Sequence, residues 1–146
     1  VLADALIHAH RLGAVQVLDI ATLTGACAAA LGKAMAGVWG TGDLPETLRK
    51  VGDRCGDRVW IMPLEDSYEE ALKSHYADVA NISTGPYAGA ITAALFLRRF
   101  VDASLDWAHI DIAGPMDTES TKGYLVAGAT GYGARLLADY VIERSQ

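Results

Sequence analysis

Helical and strand periodicities alternate along this chain. Val1, Leu2, Ala5, Leu6, Ala9 and Leu12 recur at helical spacing, and Gly13 follows as a C-terminal glycine, which predicts a helix over 1–12. Residues 15–20 form an apolar run with β-branched members, the pattern of a buried strand. An alanine-rich stretch predicts a short helix over 26–31, ended by Gly32, and residues 37–40 read as a second strand. A helix over 44–55 carries Asp43 and Glu46 early and basic residues late, the order its dipole favours. A third strand over 59–62 stops at Pro63. Further on, the pattern predicts an exposed helix over 67–74, with Glu69 and Lys73 paired one turn apart, and a short strand over 78–82. A buried helix over 88–101 and a strand over 107–113 follow, the latter with Trp107, His109 and Asp111 on one face. A loop over 114–131 leads to an amphipathic helix over 134–144 resting on Leu136, Leu137, Tyr140 and Val141. Strands alternating with helices predict an α/β fold whose sheet is covered on both faces.

Composition narrows the functions open to such a fold. Apolar residues make up 51% and charged residues 21% of the 146, so the chain is built to bury a core rather than to stay disordered. The net charge is −6, and the longest basic runs are the pairs Arg49-Lys50 and Arg98-Arg99, which argues against nucleic-acid binding. No stretch approaches the ~18 apolar residues of a membrane span. Cys27 and Cys55 lack a C-x-x-C spacing and read as two free thiols in a reducing cytosol. The opening pattern starts in mid-helix without Met or a capping residue, which reads as a piece of something longer.

The chemistry suggested by the residues lies just past the first strand. There Ala21-Thr-Leu-Thr-Gly25 is a small, hydroxyl-bearing turn at a strand's carboxyl end, where α/β proteins hold ligands. Thr22 and Thr24 offer hydroxyls, and Gly25 permits close approach to the backbone. Shaping a tight strand-to-helix turn is the competing role of the same residues. Common alternatives are missing: the chain has no G-x-S-x-G elbow, no G-x-G-x-x-G and no H-E-x-x-H, and Ala34 stands where a phosphate loop needs a hydroxyl. His8 and His10 diverge on their helix and cannot share a metal, and His75 reads as solvated. His109 and Asp111 share a strand face, but two ligands fall short of a zinc site. A hydrogen-bonded structural pair, or a contact between subunits, is the expectation for them.

Five ordered blocks carry a family resemblance: Val1-Leu-Ala-Asp-Ala-Leu6, Leu18-Asp-Ile-Ala-Thr-Leu-Thr-Gly25, Asp78-Val-Ala-Asn-Ile82, Ala88-Gly-Ala-Ile-Thr-Ala93 and Trp107-Ala-His-Ile-Asp-Ile-Ala-Gly114. Together they resemble the C-terminal catalytic domain of the leucyl (cytosol) aminopeptidases, over the whole of residues 1–146. The resemblance implies an incomplete zinc-exopeptidase-like fold with a mixed, largely parallel sheet. It implies removal of Leu-like N-terminal residues from peptides by a cytoplasmic, hexameric enzyme carrying two divalent metal ions, manganese or zinc. The family's Asn-Thr-Asp-Ala-Glu-Gly-Arg metal motif lies just before the stretch matched here, so no metal ligand and no activity are expected of this chain alone. By motif match the Leu23 backbone lies near the catalytic centre. Thr22, Gly25, Ala113 and Met116 line the pocket for the first side chain, and Ile82 faces the leaving residue. Ala127 departs from the Lys of the family's Lys-Gly-x-Thr-Gly stretch, the segment 121–126 before it is longer than the pattern and sets the region 117–126 apart from it, and the turn over 83–87 is less Gly-rich. A non-catalytic assembly module of the same oligomer is the alternative function.

Overall fold

A computed structural model describes residues 1–145. In chain order it contains α1 (Leu2–Arg11), β1 (Gln16–Ala21), α2 (Gly25–Leu31), β2 (Ala36–Gly40), α3 (Leu44–Cys55), β3 (Val59–Ile61), a 3₁₀ helix (Asp66–Leu72), α4 (Gly89–Arg98), β4 (Asp106–Asp111), β5 (Asp117–Thr118), β6 (Gly128–Ala129) and α5 (Ala134–Arg144). The main sheet has the order β1-β4-β2-β3. Strand β4 runs parallel to β1, with Asp19 opposite His109 and Ala21 opposite Asp111, and antiparallel to β2, with Val38 opposite Ile110. Strands β2 and β3 are again parallel. The sheet is therefore mixed and largely parallel, with helices on both faces, as the pattern and the resemblance lead one to expect.

Alternation along the strands sorts the core into two layers. One face carries Leu18, Ile20, Val38, Ala108 and Ile110, packed against Leu48 and Val51 of α3 and Leu136 and Tyr140 of α5. On the opposite face, Trp39 packs with Cys27 of α2 and Ala90 and Ala94 of α4, while Trp107 packs with Leu6 of α1 and Leu97 of α4. Removing an apolar side chain such as Leu48 from water contributes about 1.5–3 kcal/mol. The two tryptophans also satisfy their polar ends. Trp39 Nε1 donates to the Pro63 carbonyl at 3.0 Å, and Trp107 Nε1 donates to Asp19 Oδ2 at 2.7 Å.

Helix ends follow from local chemistry in two cases and from a distant residue in a third. Thr24 caps α2, its hydroxyl accepting from Cys27 N at 3.0 Å. Gly56 closes α3 in the left-handed region at φ +91°. Helix α5 has no local side-chain cap; Asp57, from the loop after α3, supplies it across the fold.

Several expectations are corrected. Residues 66–72 form a 3₁₀ helix rather than an α-helix over 67–74, and Glu69 pairs with Arg98 and Arg99 (both at 2.7 Å) while Lys73 pairs with Glu70. The 3₁₀ repeat of three residues per turn brings Glu70, not Glu69, beside Lys73. Residues 78–82 form no strand; Ala80 N donates instead to the Leu72 carbonyl at the end of the 3₁₀ helix, at 2.7 Å. The loop over 114–131 contains the small antiparallel pair β5–β6. Val141 of α5 is 58% exposed, so that helix rests on Leu136, Leu137 and Tyr140 without it.

Candidate active-site cleft

Because β1 and β4 are parallel and in register, their carboxyl ends emerge side by side, and Ile112 N donates to the Ala21 carbonyl at 2.8 Å. That edge is where an α/β sheet can hold a ligand. The two chains leaving it are joined by one buried carboxylate. Asp111 Oδ1 accepts from Leu23 N at 3.0 Å and from Ala113 N at 3.1 Å. Asp111 Oδ2 accepts from Thr24 N at 3.1 Å and from the Thr24 hydroxyl at 2.7 Å. A carboxylate fully shielded from water is tolerable only when its lone pairs are filled, and four donors fill these. Thr24 extends the chain of bonds to α2 by accepting from Cys27 N.

The neighbouring thiol feels this environment. Burial, and secondarily the Asp111 charge, push Cys27 from 9.0 up to about 11. Both cysteines are free, Cys27 buried and Cys55 half-buried.

A cleft of about 580 Å³ opens beside the turn. Its walls are mostly apolar, with Leu23, Ile82 and Phe96 among them, and Thr24, Asn81 and Thr92 add polar groups. The Leu23 N–H is held by Asp111, so the carbonyl is the one polar group of that residue able to serve a ligand. Ile82 is 78% exposed on the cleft's outer side. Thr22 and Gly25 lie exposed on the turn, and the space a Cβ on Gly25 would occupy is open. Ala113 is half-buried and tied to the turn through Asp111. Met116 is 39% exposed, and its carbonyl accepts from Thr130 N at 3.0 Å. The fold thus brings Leu23 and Ile82 into one cleft and sets Thr22, Gly25 and Ala113 around one strand edge. None of Thr22, Gly25, Ala113 and Met116 lines the 580 Å³ cleft.

His109 and Asp111 do not form a pair with each other. His109 Nδ1 meets Asp19 Oδ1 at 2.5 Å, its ring stacks on Trp39 with centroids 5.7 Å apart, and its buried Nε2 has no hydrogen-bond partner. Asp19 leaves one trace in the sequence, a carboxylate inside the apolar run over 15–20, the sign of a buried polar network. Asp57 leaves no such trace. It is 1% exposed, sits at a second hollow of about 270 Å³, and holds the Arg135 guanidinium at 2.6 Å, which raises that arginine's pKa.

Among the described residues no three His, Cys, Asp or Glu side chains come together as a metal group. Asp19, Asp57 and Asp111 each direct both carboxylate oxygens at partners within the protein. No helix among the described residues is long and apolar enough to cross a membrane.

Fold and cleft together define an α/β domain with an apolar hollow beside the carboxyl edge of a parallel strand pair. Residues 1–138 match the cytosol aminopeptidase family, catalytic domain, and the chain belongs to that family. It is 51% identical over 146 residues to a probable cytosol aminopeptidase of Thermosynechococcus vestitus, covering 99% of this chain and 29% of that protein. A probable cytosol aminopeptidase of Cyanothece sp. is 50% identical over 143 residues, covering 97% of this chain and 28% of its own length. A solved tomato leucine aminopeptidase mutant superposes with a TM-score of 0.90 at 41% identity, covering 97% of this chain and 27% of that one. The chain spans less than a third of the relatives it matches.

Proposed function

We propose that this chain is the C-terminal portion of a metal-dependent aminopeptidase's catalytic domain and supplies its substrate pocket. The enzyme would remove Leu-like N-terminal residues from peptides as a cytoplasmic hexamer. The carrying observation is the turn after β1 held to the chain after β4 by Asp111, beside an apolar cleft, in a chain of this family. In this reading the Leu23 carbonyl accepts from a substrate N–H near the reacting bond. Thr22, Gly25, Ala113 and Met116 form the walls around the first side chain, which the open space at Gly25 supports. Ile82, which lines the same cleft as Leu23, faces the leaving residue in this reading. The divalent ions, manganese or zinc, would be held by residues outside this chain.

The test compares the full-length protein with the 146-residue chain on Leu-p-nitroanilide with added manganese or zinc. Full-length protein should turn over and the isolated chain should not. Turnover by the isolated chain that a chelator abolishes would overturn the assignment of the metal ligands elsewhere. Full-length protein with no activity on any aminoacyl substrate would overturn the function itself.

A further inference from the structure

The residues proposed to touch the first side chain come from two separate segments, the turn after β1 and the chain after β4. Nothing in their local sequences fixes the distance between them. Across the edge, two links join these segments: the backbone bond from Ile112 N to the Ala21 carbonyl, and the carboxylate of Asp111. Oδ1 alone receives one N–H from each side, Leu23 and Ala113, at 3.0 and 3.1 Å. Oδ2 takes both donors of Thr24. All four donors stand within three residues of a proposed pocket-wall or Leu23 carbonyl position.

We infer that Asp111 is a positioning residue for substrate selectivity: its carboxylate sets the spacing of the two pocket walls and the orientation of the Leu23 carbonyl without touching substrate. The inference rests on the aminopeptidase reading above. The geometry demands an acceptor on both oxygens. An asparagine offers one acceptor and one NH₂, so either the Leu23 and Ala113 amides or the Thr24 amide would confront another donor. One wall is then released while the sheet beneath it remains. A site whose walls have lost their register discriminates poorly between large and small first side chains, because the larger one draws more of its binding from both walls.

The experiment uses the full-length protein and measures kcat/KM on Leu- and Ala-p-nitroanilide for wild type, Asp111→Asn, Thr24→Val and Thr24→Ser. Asp111→Asn should lower the Leu-to-Ala ratio about tenfold, the scale of losing a positioned hydrogen-bond pair. Thr24→Val, which deletes one donor to Oδ2 together with the acceptor for Cys27 N, should lower the ratio by roughly threefold, and Thr24→Ser, which keeps both bonds, should retain more of it than Thr24→Val. A purely structural role predicts something different: fewer folded molecules, with both substrates losing rate equally and the ratio unchanged. That result, in Asp111→Asn or, if it does not fold, in Thr24→Val, overturns the inference while leaving the aminopeptidase function standing. A wild-type protein inactive on both substrates overturns the function and this inference with it.

Discussion

Asp57 makes the sharpest prediction about stability, because a single side chain does for α5 what a local cap does for other helices. Its Oδ2 lies 3.1 Å from Gly133 N, 3.2 Å from Arg135 N and 3.4 Å from Leu136 N. The last two are amides of the first turn, which have no partner within the helix. Its negative charge also sits at the positive end of the helix dipole. Replacing Asp57 by Ala removes a cap worth about 1–2 kcal/mol. It also strands the buried Gly133 amide, which costs about 1–2 kcal/mol more. The ion pair to Arg135, whose side chain is 53% exposed, adds little after solvent screening. A local loss of about 2–4 kcal/mol corresponds to roughly 30- to 700-fold faster opening of the first turn of α5. Hydrogen exchange with mass spectrometry on the full-length protein reads this directly in peptides covering 131–145, with peptides over α2 as the control. Asp57→Asn keeps an acceptor for the amides and loses mainly the charge, so it should raise exchange by roughly fivefold. Protection in Asp57→Ala equal to wild type, or equal effects of Ala and Asn, would refute the capping argument.

Two further predictions concern titration. Cys27, 1% exposed and pushed up to about 11, should resist a thiol reagent at pH 8 while half-buried Cys55 reacts, as peptide mapping of the modified protein would show; equal labelling of both would contradict the burial argument. Because the folded-state value lies above the ordinary 9.0, the protonated thiol's contribution is complete below pH 9 and declines as pH rises toward 11, a decline that Cys27→Ala should remove from melting curves. Glu69 is held below its usual carboxylate range, chiefly by the hydrogen bond from Arg98 and then by that from Arg99. Its contribution is present above the ordinary carboxylate pKa and lost as pH falls through the lowered one, so Glu69→Gln should cost about 0.5–1 kcal/mol at neutral pH and progressively less as the solution is acidified. A difference in melting temperature that persists unchanged into acid would count against the ion network.

What the sequence revealed and what it concealed divide along the range of the interactions. The strand over 15–20 and the helices over 44–55 and 134–144 were legible because each carries its own period and its own ends. The 3₁₀ turn at Asp66–Leu72 was not, since its geometry is set by Arg98 and Arg99 reaching Glu69 from α4. Strands β5 and β6, two residues each, are too short to show any period. At the cleft, small hydroxylated residues after a buried strand pointed to the turn over 21–25. The part played by Asp111 could be seen only once β1 and β4 were known to be neighbours, a fact of tertiary pairing. Asp57 was hidden for the same reason, because the helix it caps begins far along the chain.

Gly114 sits one residue past Ala113, and a Cβ placed on it would meet the Gly32 carbonyl at the end of α2. The main chain following β4 therefore lies directly on the main chain ending α2, with no side chain between them as a spacer. Padding that seam with even one methyl would force the two segments apart, and the proposed pocket would be reshaped as a whole rather than trimmed. Variants that accept bulkier or slimmer amino-terminal residues should accordingly arise through exchanges at Thr22 and Met116, whose side chains are free to change length, and never through Gly114.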